Sequence, residues 1–181
     1  MIRGIRQMLF AAAAAASMLV ASPAFAGPPL LCFPFDIGAA KSLPMGKGNW
    51  HAIDRSYDVS RVVGDTLALL TPETPTLVRM ETIRRATIYV ADRPDLAEAL
   101  LTKLRDRAKV PTATAGAAVF DFGYLVETYR QAEPMYRRRI AEISGIDGYG
   151  LVMKARMLQD DAAMQRAANL IAGESKSGSK N

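Results

Sequence analysis

PETPTLVRMETIRRATIYVADRPDLAEALLTKLRDRAKVP, residues 72–111, is the stretch on which the fold turns. Pro75 and Pro94 stand where a helix begins, at first-turn positions in which a missing N–H is no loss, and Pro111 follows the last apolar turn. No proline or glycine interrupts the residues between them. In the second half, Leu96, Leu100 and Leu104 recur at four-residue spacing with Ala97, Leu101 and Ala108 beside them. In the first half, Leu77, Met80, Ile88 and Ala91 fall on one stripe, and Arg84 falls among them. The spacing therefore predicts helices over about 75–91 and 94–110. So short a connection makes them an antiparallel hairpin.

Outward from this hairpin the pattern continues. Val59, Val62, Val63, Leu67 and Leu70 form one face over about 58–70, and Thr71-Pro72 ends it. A fourth helix, about 112–131, carries Ala113, Ala117, Phe120 and Tyr124 on one side and Ala118, Phe122, Leu125 and Tyr129 on another, which predicts the central helix. A short fifth is expected at 135–144, broken at Ser144-Gly145. Asp147 caps a sixth that includes Tyr149, Val152 and Met153. Asp160 or Asp161 starts a seventh with Ala163, Ala167, Leu170 and Ile171 on one face, and from Gly173 the polar run to residue 181 reads as a disordered tail. The fold class is all-α: stacked antiparallel helical hairpins, α-solenoid-like or an irregular bundle, over residues 58–172. Units of about 34–39 residues approach tetratricopeptide length, but the tryptophan, Leu-Gly and tyrosine pattern of that repeat is absent.

Residues 1–26 read as a secretory signal peptide. Arg3 and Arg6 precede an apolar run from Met8 to Ala21, and Ala24-Phe25-Ala26 supplies the small-residue cleavage pattern. The run is shorter than the ~20 residues a spanning helix needs, so a retained anchor is the weaker reading. Cleavage after Ala26 places the remaining 155 residues in the periplasm or outside the cell, enough for one domain with its own core. Two of the five surplus positive charges lie in the leader, and the remaining +3 gives no reason to expect nucleic-acid binding. No later stretch is long and apolar enough for stable membrane insertion. Arg137-Arg138-Arg139, flanked by Glu133 and Glu142, reads as a solvated face more than as a lipid contact.

The single cysteine, Cys32, permits no intramolecular disulfide. Lipid attachment there would want small residues before it, and Leu30 and Leu31 stand in their place. A nucleophilic Cys32 would need a base, and His51 is the one histidine in the chain. The plainer reading is a buried apolar thiol and a surface or hydrogen-bonding histidine. Residues 27–57 contain Pro29, Pro34 and Pro44 and so cannot form one helix. They are expected to make an ordered arm that buries Leu30, Leu31, Phe33, Phe35 and Ile37. Arg84, on an apolar stripe, needs an acid, and Glu81, Asp121 and Glu127 are the candidates for a pair tying two hairpins together.

Cys32, PFDIGAAKSLP at 34–44, LALLTPETPTLVRMETIRRATIYVA at 67–91 and DGYGLVMKARML at 147–158 together resemble a family of secreted bacterial helical proteins. The resemblance implies an N-terminal arm followed by a helical domain. It brings no activity, cofactor or catalytic residue.

Nor do the motifs. HExxH, paired cysteines, a P-loop, GxGxxG and GxSxG are all missing from the sequence, so no catalytic, cofactor-binding or metal residue is assigned. Asp160 and Asp161, adjacent on a helix, point about 100° apart and suffice as caps. Tyr124, Tyr129 and Tyr149 suit a core better than a ligand groove. Three classes of function stay open: an exported non-catalytic helical scaffold that binds a protein or peptide, an enzyme with a site near Cys32 and His51, and a small-ligand carrier. A cleft holding Cys32 beside His51 would favour the enzyme, and an enclosed apolar cavity the carrier.

Overall fold

The computed structural model describes residues 29–111 and 115–178, with side chains placed up to Gly173. The leader and its cleavage site lie outside the described residues, as do 112–114 and 179–181. The described chain is an irregular arm followed by six α-helices, with no strand among the described residues.

A 3₁₀ turn, Val59–Arg61, is capped by the Asp58 carboxylate on the Ser60 N–H and leads into α1, Val62–Leu69. Helix α2 spans Thr76–Val90 and α3 Pro94–Lys109, with Pro94 in its first turn as the sequence predicts. α3 is amphipathic: Ala97, Leu100, Leu101 and Leu104 are buried while Asp95, Lys103, Asp106 and Lys109 face water. α2 is buried on nearly every side, including Glu81, Arg79 and Arg84. The longest helix, α4, spans Ala115–Tyr136 and is buried from Gly116 through Tyr129 except at Ala118, as its two apolar sides require. It is the central helix, packed against α2, α3, α5 and α6.

Asp147 caps α5, Gly148–Leu158, by accepting the Gly150 N–H at 2.7 Å. Two glycines let α5 press on α4. A Cβ on Gly123 would lie 2.7 Å from Leu151 Cβ and 2.8 Å from the Gly148 carbonyl oxygen, so the helices touch backbone to backbone. Asp161 caps α6, Ala162–Gly178, through the Ala163 and Met164 N–H groups, and its other oxygen takes the Thr76 hydroxyl of α2 at 2.6 Å.

Of the two arrangements the sequence leaves open, the irregular bundle is the one formed: α2 meets not only α4 of the next hairpin but also α6 beyond it, so the helices gather around α4. Two expectations are corrected. The short fifth helix is absent. α4 instead continues through Pro134, which sits in its last turn, where one lost hydrogen bond is tolerated by a helix already buried on most sides. Arg137, at φ +52°, then ends it, and the Arg138 N–H returns to the Glu133 carbonyl at 3.2 Å, closing a Schellman-type cap. Residues 137–147 form an irregular segment whose Ile140, Ala141 and Ile143 still bury against the core. Lastly, α6 runs past Gly173, where composition alone predicts a tail.

Candidate functional site

An arm without regular structure leaves its backbone N–H and C=O groups in need of partners. They are supplied by the polar side chains of α2. Glu81 Oε2 accepts the Phe35 N–H at 3.0 Å, and Arg84 Nη1 donates to both the Leu31 and Trp50 carbonyls at 3.0 Å. Arg85 donates to the Leu43 carbonyl at 2.6 Å, and Ser42 and Thr82 share a hydroxyl bond of 3.0 Å. The Tyr89 hydroxyl donates to the Pro44 carbonyl at 2.7 Å and accepts the Asp54 N–H at 3.1 Å. From α4, Gln131 Oε1 accepts the Leu30 N–H. The polarity of METIRRATIY is thus a backbone-binding surface. Of the apolar arm residues, Leu30, Leu31 and Phe35 are buried and Ile37 is half-buried. Phe33 stays 39% exposed because residues 29–33 turn instead of running extended, which breaks the alternation that would turn it inward.

Arg84 finds its acid on its own helix. Its guanidinium grips Glu81 through two bonds of 2.7 and 2.8 Å, and both side chains are essentially unexposed. Arg85 adds a third bond to the same carboxylate. Burial by itself would raise the Glu81 carboxyl, but Arg84, Arg85 and the Phe35 N–H outweigh it and hold it below its ordinary value. The other two candidate acids go elsewhere: Glu127 pairs with Arg130 on α4, and Asp121 with Arg79 at 2.7 Å. The ion pair that joins α2 to α4 is therefore Arg79–Asp121. Sequence reasoning missed Arg79 because it lies off the α2 stripe, where a helix buried on one side only would expose it. Arg79 also donates to the Thr71 and Thr74 carbonyls, and Arg107 to those of Leu67 and Leu70, so two arginines satisfy the chain end of α1 and the turn after it. Asp121 Oδ1 is buried without a hydrogen bond, and burial lifts this carboxyl to about 7 against the pull of Arg79 and Arg107.

The tyrosines do not form a groove together. Tyr124 stacks on Phe120 in the core, Tyr129 donates to the Ala97 carbonyl, and Tyr149 lies at the surface of α5. Cys32 is half-buried and close enough to Tyr136 to act on it: burial first, then Asp92 and Cys32, raise that phenol above its ordinary value. His51 is exposed, edge-on to the Trp50 ring at 4.6 Å, with its backbone N–H on Asn49 Oδ1. One guanidinium nitrogen, Arg84 Nη1, holds the carbonyls just before Cys32 and just before His51.

At this end of the bundle a cleft of about 510 Å³ opens to solvent. Its lining is Lys47, Asn49, His51, Ala52, Ile53 and Arg55 of the arm with Ile88, Asp92 and Tyr136; Ile53 is exposed and Ile88 buried, and Cys32 lies outside the lining. The arm loop is held there by the Gly46 N–H on the Ala52 carbonyl and by Tyr89 beneath Asp54. Nothing in the sequence pattern pointed to this cleft, because its walls come from three separated segments. Among the described residues no helix is long and apolar enough to cross a membrane. Comparison of the chain with family models, with curated proteins and with solved structures finds no match.

Proposed function

We propose that the chain works outside the cytoplasm as a non-catalytic helical module that binds a protein or peptide segment, and that the cleft at the arm's edge is where the segment sits. The observation that carries this reading is the cleft's construction. It is open to solvent, lined by both polar and apolar side chains, and its loop is fixed by part-buried hydrogen bonds to α2. A recess on a rigid support binds an incoming chain without first having to order itself. A carrier would want an enclosed apolar cavity, whereas this cleft opens to solvent and carries charged side chains.

A photo-crosslinking residue in place of Ile53, at the cleft, is expected to capture a discrete envelope protein. The same residue in place of Met157 is expected to capture none, since Met157 lies on the turn of α5 that packs near Gly116, about 30 Å along α4 from Tyr136. Equal capture at both positions, or none at Ile53, would sink the proposal. The enzyme reading retains one supporting observation, the shared Arg84 anchor of the Cys32 and His51 segments. Turnover of any substrate that is lost in both Cys32→Ala and His51→Ala would replace the module with an enzyme.

A further inference from the structure

Resting on the binding-module reading, we infer that the cleft receives an acidic peptide segment. The polar groups of its lining are almost all donors. Lys47 and Arg55 carry positive charge and are engaged in no ion pair among the described residues. Asn49 spends its carbonyl oxygen on the His51 N–H, which leaves its NH₂ as the group available to a ligand. His51 and Tyr136 complete the polar lining, and the one carboxylate in it, Asp92, is paired with Arg138 at 3.1 Å.

The chain ends of α2 and α4 also point here and would by themselves favour a cation. Their exposed carbonyls are partly satisfied, Val90 by the Arg93 N–H and Glu133 by the Arg138 N–H. The lining therefore keeps a surplus of positive charge. Ile53 and Ile88 in the same lining give apolar side chains between the acids a surface to meet. Glutamates interleaved with leucines match that lining in both charge and hydrocarbon.

The test is fluorescence anisotropy on the mature protein with a labelled peptide of alternating Glu and Leu, its Gln–Leu counterpart, and phosphatidylglycerol vesicles. The acidic peptide is expected to bind, the Gln peptide roughly tenfold or more weakly, and binding to weaken as salt rises from 50 to 300 mM. The Lys47→Glu/Arg55→Glu variant should lose roughly tenfold or more in affinity, while Lys103→Glu/Lys154→Glu, which reverses exposed charges on α3 and α5, should lose little. Equal binding of the two peptides, or equal losses in the two charge-reversed variants, would overturn the inference. So would vesicles that bind more tightly than the peptide and depend on Lys47 and Arg55, since the occupant would then be a lipid headgroup. If the acidic peptide fails while Ile53 still crosslinks a discrete partner, the acidic assignment falls and the module stands; if both fail, the module falls too.

Discussion

Replacing Glu81 with Gln keeps the side chain's shape and removes its charge. In the wild type that carboxylate, itself unexposed, receives both forks of Arg84, the Nε of the partly exposed Arg85 and the Phe35 N–H. Without it the Arg84 guanidinium is left buried and uncompensated, at a cost of about 3–5 kcal/mol. A domain of this size has about 5–15 kcal/mol in total, so Glu81→Gln should fold marginally. Urea denaturation followed by far-ultraviolet circular dichroism measures the loss. The chain's single tryptophan, Trp50, sits on the strapped segment and reports separately whether the arm has lifted. A Glu81→Leu/Arg84→Met double variant divides charge from scaffold. Buried ion pairs are often replaced by apolar residues at no cost, but here Leu31, Trp50 and Phe35 would each lose a backbone partner, at about 1–3 kcal/mol per group left unsatisfied. The double variant should therefore remain destabilised, with Trp50 exposed. If Glu81→Gln costs less than about 1 kcal/mol, or the double variant matches wild type, the arm is not held as described here.

Gly123→Ala should destabilise by about 3 kcal/mol in the same assay, because the new methyl meets the Gly148 carbonyl oxygen at 2.8 Å and the Val152 nitrogen at 3.0 Å, and the α4–α5 contact must open; a gain of about 1 kcal/mol, as at an exposed helix glycine, would contradict it. Arg137→Gly should raise the Tm by about 2–4 °C by relieving a left-handed residue, and a fall would show that the side chain contributes more than the backbone strain costs. Asp121→Asn tests the buried carboxyl through pH. Its value in the folded protein, about 7, lies above the ordinary 3.8, so its contribution to stability is complete below about pH 4 and is lost as pH rises towards 7. Wild type measured relative to Asp121→Asn should therefore lose stability between pH 4.5 and 7.5, and a difference independent of pH would refute the assignment.

The helices were legible where apolar spacing and caps agree. Pro94, Asp147 and the leucines of α3 mark their elements without tertiary help, and the two-sided apolar pattern of α4 marks the centre. The failures have a common cause. Pro134 reads as a boundary, but it falls in the last turn of a helix already buried through Ala132, and the helix runs on to Tyr136. Arg79 reads as a surface residue because nothing local shows that α2 is enclosed on nearly every side. The arm's bonds pair backbone atoms with side chains tens of residues away, which leaves no periodicity to find. Cys32 and His51 attracted attention by being unique in the chain, whereas the cleft depends on Lys47, Asn49 and Arg55, whose residue types are common and carry no signal until the loop is folded.

The bond from the Leu30 N–H to Gln131 spans 101 residues and sets an order of events. A chain made from its N-terminus presents Leu30, Leu31 and Phe35 long before α2 and α4 exist to cover them. At about 5–20 residues per second that interval is roughly 5–20 s, during which an apolar segment has no docking surface of its own. Final closure must therefore be late and non-local, the slow kind of step in folding. The arm precedes every helix of the described chain and takes its place after them.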